Sequence, residues 1–457
     1  MTKINFRFLL FILIIIFCRS PLYVSSQNKI YEPTWESLDS RPTPAWFDSC
    51  KYGMKIHWGV FSVPSWAPKG VYAEWYWYNI QDKKDESFLQ HTKLYGGDYA
   101  YQNFAYQFKA ELFDPDAWAD LFVRGGIKYV VLTSKHHEGF PLWPSADSWN
   151  WNSMDVGPHR DLVKDITDAM RARGMYVGYY FSFYEWFNPL WQNEPERFVK
   201  EHMIPQMTDL VLRYHPDMMY GDGEWDHPSD FWKTKEWLAW LFNESPVKDN
   251  VVINDRWGNE TRSRHGSFYL SEYGKYTGAN VQLGIQHIWC ETRSLGSSFG
   301  YNRNESIDDY QSAEELVHLL VYCVSRGGGL MLNIGPRGDG TIPVIMQERL
   351  IQIGDWLEVN GEAIYGTKAW RETNEGNKIN YTSKNGDLYV ITIGWPGKEL
   401  ALDTPVPSGN TKVSMLGYDG AVNYSVKNGK IYIDVPQLSV DEVPCLYAYT
   451  FKITGVK

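Results

Sequence analysis

The chain has 457 residues, of which 44% are hydrophobic and 16% aromatic, and its formal net charge is −11. That length is enough for one large domain with an accessory domain, or for two to three domains of ordinary size. The acidic balance argues against a nucleic acid or an anionic membrane surface as partner, because both bind clustered lysine and arginine.

The N-terminus has the pattern of a secretory signal peptide. Basic residues precede the apolar run Phe8–Cys18, and small residues follow it, which predicts cleavage after Ser26 or, as an alternative, near Ser20. The run is too short to span a bilayer, and no later segment is long and apolar enough for membrane insertion. We therefore expect residues 1–26 to be removed and the mature chain to enter the secretory pathway, as a lysosomal or secreted protein.

Sequons and cysteines agree with this route. Four cysteines remain in the mature chain, and their spacing predicts neither a disulfide framework nor a metal site. Cys323 lies in an apolar helical pattern and is expected to be buried and free. One sequon, at Asn243, is weakened by the nearby Pro246. The candidate N-glycosylation sites are Asn243, Asn259, Asn304, Asn380 and Asn423.

From about residue 45 to 365, strand-like and helix-like segments alternate along the chain. Amphipathic helices are predicted around residues 162–170 and 316–323, and a third from about Pro343 to Val359. Such alternation predicts a parallel sheet, with a (β/α)8-like barrel favoured and an open doubly wound sheet as the alternative. The predicted strands are Met54–Val60, Tyr129–Ser134, Met175–Phe181, Met218–Tyr220, Val251–Asn254 and Leu330–Ile334.

The pattern changes past Trp370, where short alternating segments are separated by Asn-Gly, Pro-Gly and Asp-Gly turns. This pattern predicts an antiparallel β-sandwich. We therefore expect a catalytic barrel over residues 27–365 and a C-terminal β-sandwich over residues 366–457. A structural accessory role is expected for the sandwich, with sugar binding as the alternative.

Polar residues recur at or just after the carboxyl ends of the predicted strands, the end that carries the active site in a barrel. The segment Lys135–Phe140 combines two imidazoles and a carboxylate with nearby aromatic rings, which suits a polyhydroxylated ligand. Adjacent histidines point to opposite sides of a strand, so hydrogen bonding is favoured over a shared metal. The residues at these strand ends are His57, His136, His137, Tyr180, Asp222, Asp255 and Arg256.

Asp222 lies between two glycines at the tip of a predicted strand, where the backbone can turn tightly. A carboxylate exposed there suits the nucleophile of covalent glycoside catalysis, and a turn-forming aspartate is the alternative. A retaining glycosidase needs a second carboxylate about 5–5.5 Å from the first. An aromatic setting makes Glu291 suitable as the acid, whereas an ion pair with Arg293 would favour its charged form. Spacing does not choose among Glu138, Glu224, Glu272 and Glu291.

Six motifs occur in an order that resembles the α-L-fucosidases of glycoside hydrolase family 29, in particular the animal lysosomal type. The resemblance extends over almost the whole mature chain. It implies a (β/α)8-like barrel with a C-terminal β-sandwich and retaining exo-hydrolysis of terminal α-L-fucose through a covalent fucosyl-enzyme intermediate. The motifs are Tyr52–Gly59, Ala73–Tyr76, Ser134–Phe140, Asp222–Trp225, Asn254–Gly258 and Leu332–Pro336.

The resemblance also assigns roles to single residues. It implies that Asp222 is the nucleophile, that no metal or cofactor is needed, and that fucosylated glycoproteins, glycolipids or oligosaccharides are the substrates. A homo-oligomer is possible. The substrate-binding residues that it implies are His57, Glu74, Trp75, His136, His137, Tyr180 and Arg256.

One motif departs from the family pattern. The family reads Trp-Glu-x-Cys where this chain reads Trp289-Cys-Glu-Thr292, so the glutamate stands one position later. We expect Glu291 to be the acid/base, because a loop can absorb such a shift. With a rigid register, Cys290 would occupy that position and Glu224 would be the next candidate. The displacement also motivates an alternative function, a lectin-like fucose-binding protein with impaired catalysis.

Overall fold

The structure is a computed structural model that describes residues 29–274 and 287–456, so the predicted signal peptide lies outside the described residues. Eight strands form one parallel sheet in the order β5-β4-β3-β2-β1-β8-β7-β6. This arrangement confirms the predicted (β/α)8-like barrel. The strands are β1 Tyr52–Ile56, β2 Tyr129–Lys135, β3 Tyr176–Ser182, β4 Met218–Asp222, β5 Val252–Ile253, β6 Tyr269–Glu272, β7 Trp289–Ser294 and β8 Gly329–Ile334.

Helices connect the strands and cover the outer face of the sheet. None of those in the described ranges is long and apolar enough to cross a membrane. The helices are α1 Trp35–Asp39, α2 Ala45–Cys50, α3 Tyr76–Asn79, α4 Glu86–Tyr95, α5 Pro115–Arg124, α6 Leu162–Ala172, α7 Pro189–Asn193, α8 Pro195–Phe198, α9 Ile204–Tyr214, α10 Ser229–Trp232, α11 Thr234–Asn243, α12 Ala313–Ser325 and α13 Val344–Asn360.

The two faces of the barrel sheet bury different side chains, because successive residues of a strand point to opposite sides. On the inner face, residues such as Tyr129, Tyr180, Tyr220, Leu270 and Cys290 form a cluster in the lumen. On the outer face, Trp289 and Tyr269 pack against Cys323 of α12, which is buried and free as predicted. Side-chain parity therefore decides which residues can reach a site at the mouth of the barrel.

The barrel has a seam between β5 and β6. These strands are the two ends of the sheet order, and no strand ladder joins them within the described residues. A few hydrogen bonds cross the seam instead, including one from the backbone N–H of Ser267 to the carbonyl of Ile253 at 3.0 Å. At the carboxyl ends of β5 and β6, side chains therefore connect the two strands.

The C-terminal part contains two antiparallel sheets around their own core, with β10, β11, β12, β15 and β16 all contributing buried residues. This confirms the predicted antiparallel fold. Helix α13 joins it to the barrel, and the indole of Trp356 donates to the carbonyl of Ala448 at 2.8 Å. The strands are β9 Lys368–Glu375, β10 Ile379–Lys384, β11 Asp387–Ile393, β12 Glu399–Leu402, β13 Pro407–Met415, β14 Tyr424–Lys427, β15 Lys430–Asp434 and β16 Ala448–Val456.

Candidate active site

The carboxyl ends of the parallel strands bring several predicted residues together around Asp222, the last residue of β4. Gly223 follows with a φ of +82°, a conformation that favours glycine, and a Cβ on Gly221 would lie 2.4 Å from the carbonyl oxygen of Arg256. Gly223 is therefore needed for the turn and Gly221 for the close packing, at the positions that the sequence suggested.

The Asp222 carboxylate is almost fully buried and bonded through both oxygens. Arg256 Nη1 donates to Oδ1 at 2.7 Å, the Tyr180 hydroxyl donates to Oδ2 at 2.7 Å, and His137 Nε2 lies 3.9 Å from Oδ2. Burial alone would raise the pKa of Asp222, but Arg256, Lys55 and the hydrogen bond from Tyr180 outweigh it and hold the pKa far below its usual range. Asp222 is therefore an ionised carboxylate.

Arg256 bridges Asp222 to a second carboxylate. Its other terminal nitrogen, Nη2, donates to Oε2 of Glu272 at 2.6 Å. Glu272 ends β6, points into the barrel with Leu270, and keeps 19% of its side chain exposed. Two carboxylates that bond to the two terminal nitrogens of one guanidinium can lie about 5–5.5 Å apart, which is the separation that retaining glycosidases use.

The hydrogen-bond networks around two histidines fix which ring nitrogen carries the proton. The Asn333 amide donates to the carbonyl of Phe299 at 2.7 Å, so its oxygen accepts from His57 Nδ1 at 2.5 Å. In the same way, Ser182 donates to the carbonyl of Tyr184, so its oxygen accepts from His137 Nδ1 at 2.6 Å. Each neutral ring therefore presents an unprotonated Nε2, an acceptor for a sugar hydroxyl.

Burial keeps the three pocket imidazoles neutral. It lowers the pKa of His57 and His137 well below the usual value, and that of His136 to about 3. His136 Nδ1 lies 3.4 Å from Oε2 of Glu138, and burial raises the pKa of that carboxyl to about 8. The pair is therefore a neutral imidazole beside a protonated carboxyl at neutral pH.

Glu74 and Trp75 complete the pocket from the segment after β1. Glu74 is buried, and its Oε2 accepts from the backbone N–H of Gly300 at 2.8 Å. Burial raises its pKa to about 7, although the Gly300 N–H acts in the opposite direction. The half-buried Trp75 ring lies 5.5 Å from that of His137 and packs against Trp225, an aromatic wall suited to the apolar face of a sugar.

Two family profiles cover most of the chain. The profile described as Alpha-L-fucosidase matches residues 20–362, and the one described as Alpha-L-fucosidase C-terminal domain matches residues 372–454. This chain belongs to the α-L-fucosidase family. It is thus a glycosidase that releases fucose, as the family resemblance implied.

Relatives of this α-L-fucosidase family member are similar over nearly their full length. Tissue alpha-L-fucosidase of Bos taurus is 44% identical over 453 residues, 96% of this chain and 94% of the relative. That of Homo sapiens is 44% identical over 93% of this chain and 92% of the relative. A structure of Thermotoga maritima alpha-fucosidase in complex with a mechanism-based inhibitor is 34% identical, with a TM-score of 0.80, over 93% of this chain and 100% of that chain.

The glutamate expected as acid/base in this fucosidase family member does not face the pocket. Glu291 shares the outer face of β7 with Trp289, and its Oε1 accepts from Arg293 Nη2 at 2.6 Å and from the backbone N–H of Gly274 at 2.9 Å. The ion pair with Arg293 is thus present. Cys290 faces the lumen, but it lies in the apolar cluster below the mouth, where its Sγ is 3.6 Å from the Tyr129 hydroxyl.

Glu224 has a different arginine partner. Its carboxylate is completely buried and accepts from Arg262 Nε at 2.6 Å. The geometry therefore leaves Glu272 as the carboxylate that shares Arg256 with Asp222. The sequence named Glu272 among four candidates but gave no reason to select it; the alternation Leu270-Ser-Glu272 was the available signal.

The structure adds Lys55, Ser182 and Asn333, which the sequence did not single out. Lys55 lies in the lumen, and the other two orient His137 and His57. Within residues 29–274 and 287–456, no three His, Cys, Asp or Glu side chains are arranged to hold a metal ion.

Proposed function

We propose that this chain releases terminal α-L-fucose with retention of configuration, with Asp222 as nucleophile and Glu272 as acid/base. The observation that carries the proposal is the Arg256 bridge between the two carboxylates, one ionised and buried, the other partly exposed. In the first step Asp222 attacks the anomeric carbon while Glu272 gives its proton to the leaving oxygen. In the second step Glu272 takes a proton from water, and water releases the sugar from Asp222.

The remaining pocket residues are proposed to bind the sugar. His57 and His137 each offer an Nε2 acceptor, Glu74 and His136 add hydrogen-bonding groups, and Trp75 contacts an apolar face of the ring. Tyr180 and Arg256 hold the nucleophile through its two oxygens. These polar and aromatic side chains gather around Asp222 at one end of the barrel, which supports exo-action on the terminal residue of fucosylated glycans.

The experiment is hydrolysis of an aryl α-L-fucoside followed by proton NMR from the first seconds. We expect α-L-fucose to form first and then to mutarotate. Initial release of the β-anomer would contradict the covalent route, and the absence of any turnover with fucose still bound would favour the lectin-like alternative. The displaced Glu291 was the reason for the lectin-like alternative. Glu272 is the carboxylate that we propose as acid/base in its place.

For the location of the protein, we propose the secretory route. Tissue and plasma alpha-L-fucosidases are among its relatives, which supports a lysosomal or secreted protein. The cleavage site, the domain limits at residues 27–365 and 366–457, and a homo-oligomer stay predictions. Mass spectrometry of the mature protein would locate its first residue.

The sequons differ in how accessible they are in the fold. Asn380 is buried, and both ends of the Asn243 amide bond to the backbone of Tyr31. Asn304 is half-buried and donates to the carbonyl of Ala67 at 3.0 Å. We therefore propose glycans at the exposed Asn259 and Asn423. Glycopeptide mapping would test this, and a glycan on Asn380 with an empty Asn259 would contradict it.

A further inference from the structure

Lys55 lies in the lumen of the barrel, one layer below the candidate nucleophile. It precedes His57 by two residues on the inner face of β1, as Tyr220 precedes Asp222 on β4. Only 4% of the lysine is exposed. Its Nζ lies 4.1 Å from the ring centre of Tyr220, 4.7 Å from that of Tyr180 and 5.5 Å from that of Phe299.

The lysine has no direct ionic partner. Among the residues that the structure describes, none forms a hydrogen bond or an ion pair of 4.0 Å or less with its ammonium group. Burying an unpaired charge is costly, and contacts with aromatic faces recover only part of that cost. An apolar side chain of similar size would fill this space without the cost, so a charge at this place calls for a functional reason.

The charged and titratable groups around Lys55 are those of the candidate site. Burial lowers the pKa of Lys55 to about 8, with Asp222 opposing and Arg256 adding to the effect. Lys55 in turn helps to lower the pKa of Asp222. The groups that face it are Glu74, His57, His136, His137, Tyr180, Tyr220, Asp222, Arg256 and Glu272.

We propose that Lys55 is a positioning residue of the reaction, a buried cation beside the rings of Tyr180 and Tyr220 that stabilises the negative charge of Asp222 from below. The proposal rests on the proposed role of Asp222. When the carboxylate attacks, the glycosidic C–O bond breaks, the leaving oxygen takes the proton of Glu272, and Asp222 becomes an uncharged ester. Lys55 then faces no nucleophile charge, so it favours the second step, in which water breaks the ester and the carboxylate returns.

The test compares pH profiles of kcat, which reports ester hydrolysis when the first step is fast, for the wild type, Lys55→Met and Lys55→Arg on an aryl α-L-fucoside with a good leaving group. Such a substrate reduces the contribution of Glu272 as acid. The pKa of Asp222 lies far below its usual range, so Lys55→Met should keep the acid limb, while its kcat should fall by about tenfold and lose the alkaline limb that belongs to Lys55. Lys93→Met, at an exposed position of α4, is the matched control and should leave both limbs in place.

The alkaline side provides a second comparison. In the wild type, kcat should fall above about pH 8 as Lys55 loses its proton, because the second step then loses the cation that stabilises the returning carboxylate. Glu74 and Glu138 titrate at about 7 and about 8, so the decisive measure is the difference between variants. Lys55→Arg keeps its charge at high pH, and its alkaline limb should move upward because a guanidinium stays protonated.

Each failure has a separate meaning. A wild type without turnover overturns the proposed function itself. Turnover with a flat wild-type profile to pH 10 overturns the role of Lys55. So does a Lys55→Met variant with lower kcat that keeps the alkaline limb of the wild type, which would indicate a purely structural residue. If Lys55→Met does not fold, the wild type and Lys55→Arg decide, since an unmoved alkaline limb in Lys55→Arg contradicts the proposal.

Discussion

Two glutamates on adjacent paired strands are placed very differently. Glu272 ends β6 and pairs with Thr292, whereas Glu291 of β7 pairs with Ser271, one position earlier in the ladder. Each bonds to an arginine, Glu272 to Arg256 and Glu291 to Arg293. Because the side-chain period of a strand is two, this offset of one residue puts Glu272 at the mouth and Glu291 on the outer face.

The comparison shows that an arginine partner does not by itself identify a catalytic carboxylate. Arg256 bonds to two carboxylates at the mouth of the barrel, one on each terminal nitrogen, while Arg293 neutralises a glutamate buried on the outer face of β7. We propose that the carboxylates of the inner pair react with the substrate, whereas the outer pair stabilises the fold. Substitutions on the two faces should therefore separate activity from stability.

The largest effect is expected at Asp222, the reference residue of the inner face. Asp222→Gly removes the proposed nucleophile and should lower kcat by a factor on the order of 10⁴ or more. Azide should restore turnover of an aryl α-L-fucoside and give the product with inverted configuration. Azide-independent activity close to that of the wild type would remove Asp222 from the chemistry.

The matched variants Glu272→Gln and Glu291→Gln test the two faces directly. A glutamine cannot give a proton to the leaving group, so Glu272→Gln should lower kcat/KM on natural glycans by about 10²–10⁴. An aryl fucoside with a good leaving group should be affected much less. Glu291→Gln should keep activity per folded molecule within a factor of about two. The reverse pattern would restore Glu291 as the acid/base.

On the outer face the effect should appear in stability. Arg293→Met leaves the Glu291 carboxylate buried without the two hydrogen bonds from its charged partner, at an expected cost of about 1–3 kcal/mol. Urea denaturation should show this loss, while kcat/KM on an aryl fucoside stays near that of the wild type. Lost activity at unchanged stability would mean that Arg293 acts on the pocket.

A pH dependence of stability is expected on the inner face. The folded-state pKa of Glu74 is about 7 against an ordinary value of 4.5, so the folded protein binds the extra proton between these values. The corresponding stability is present below about pH 4.5 and is lost as the pH rises through about 7. Glu74→Gln should therefore make the decline in free energy of unfolding shallower in this interval. An unchanged slope would show that Glu74 is already ionised.

The parallel sheet and the strand-end residues could be predicted from sequence because both depend on local patterns. The apolar run before Lys135 and the glycines beside Asp222 mark strands that end at a pocket. Helix α12 follows from the spacing of its apolar residues, and the C-terminal strands from their turns. These signals are contained within a few neighbouring residues.

The acid/base could not be selected in this way, because its orientation depends on how β6 and β7 align. Both strands are short and carry polar residues, and neither was predicted. The aromatic neighbour Trp289 suggested a pocket around Glu291, but that ring packs against Tyr269 and Cys323 outside the barrel. Likewise, nothing in the segment Tyr52–Ile56 indicates that Lys55 points into the lumen under a carboxylate.

The seam between β5 and β6 gives Arg256 a mechanical role. Arg256 follows β5 and Glu272 ends β6. Their ion pair therefore joins two strands that no strand ladder connects within the described residues. If Glu272 is the acid/base, it gains and loses a proton in every turnover. Its ion pair with Arg256 weakens when the proton binds and recovers when the proton leaves. The contact between the carboxyl ends of β5 and β6 would then change with the same proton that frees the sugar.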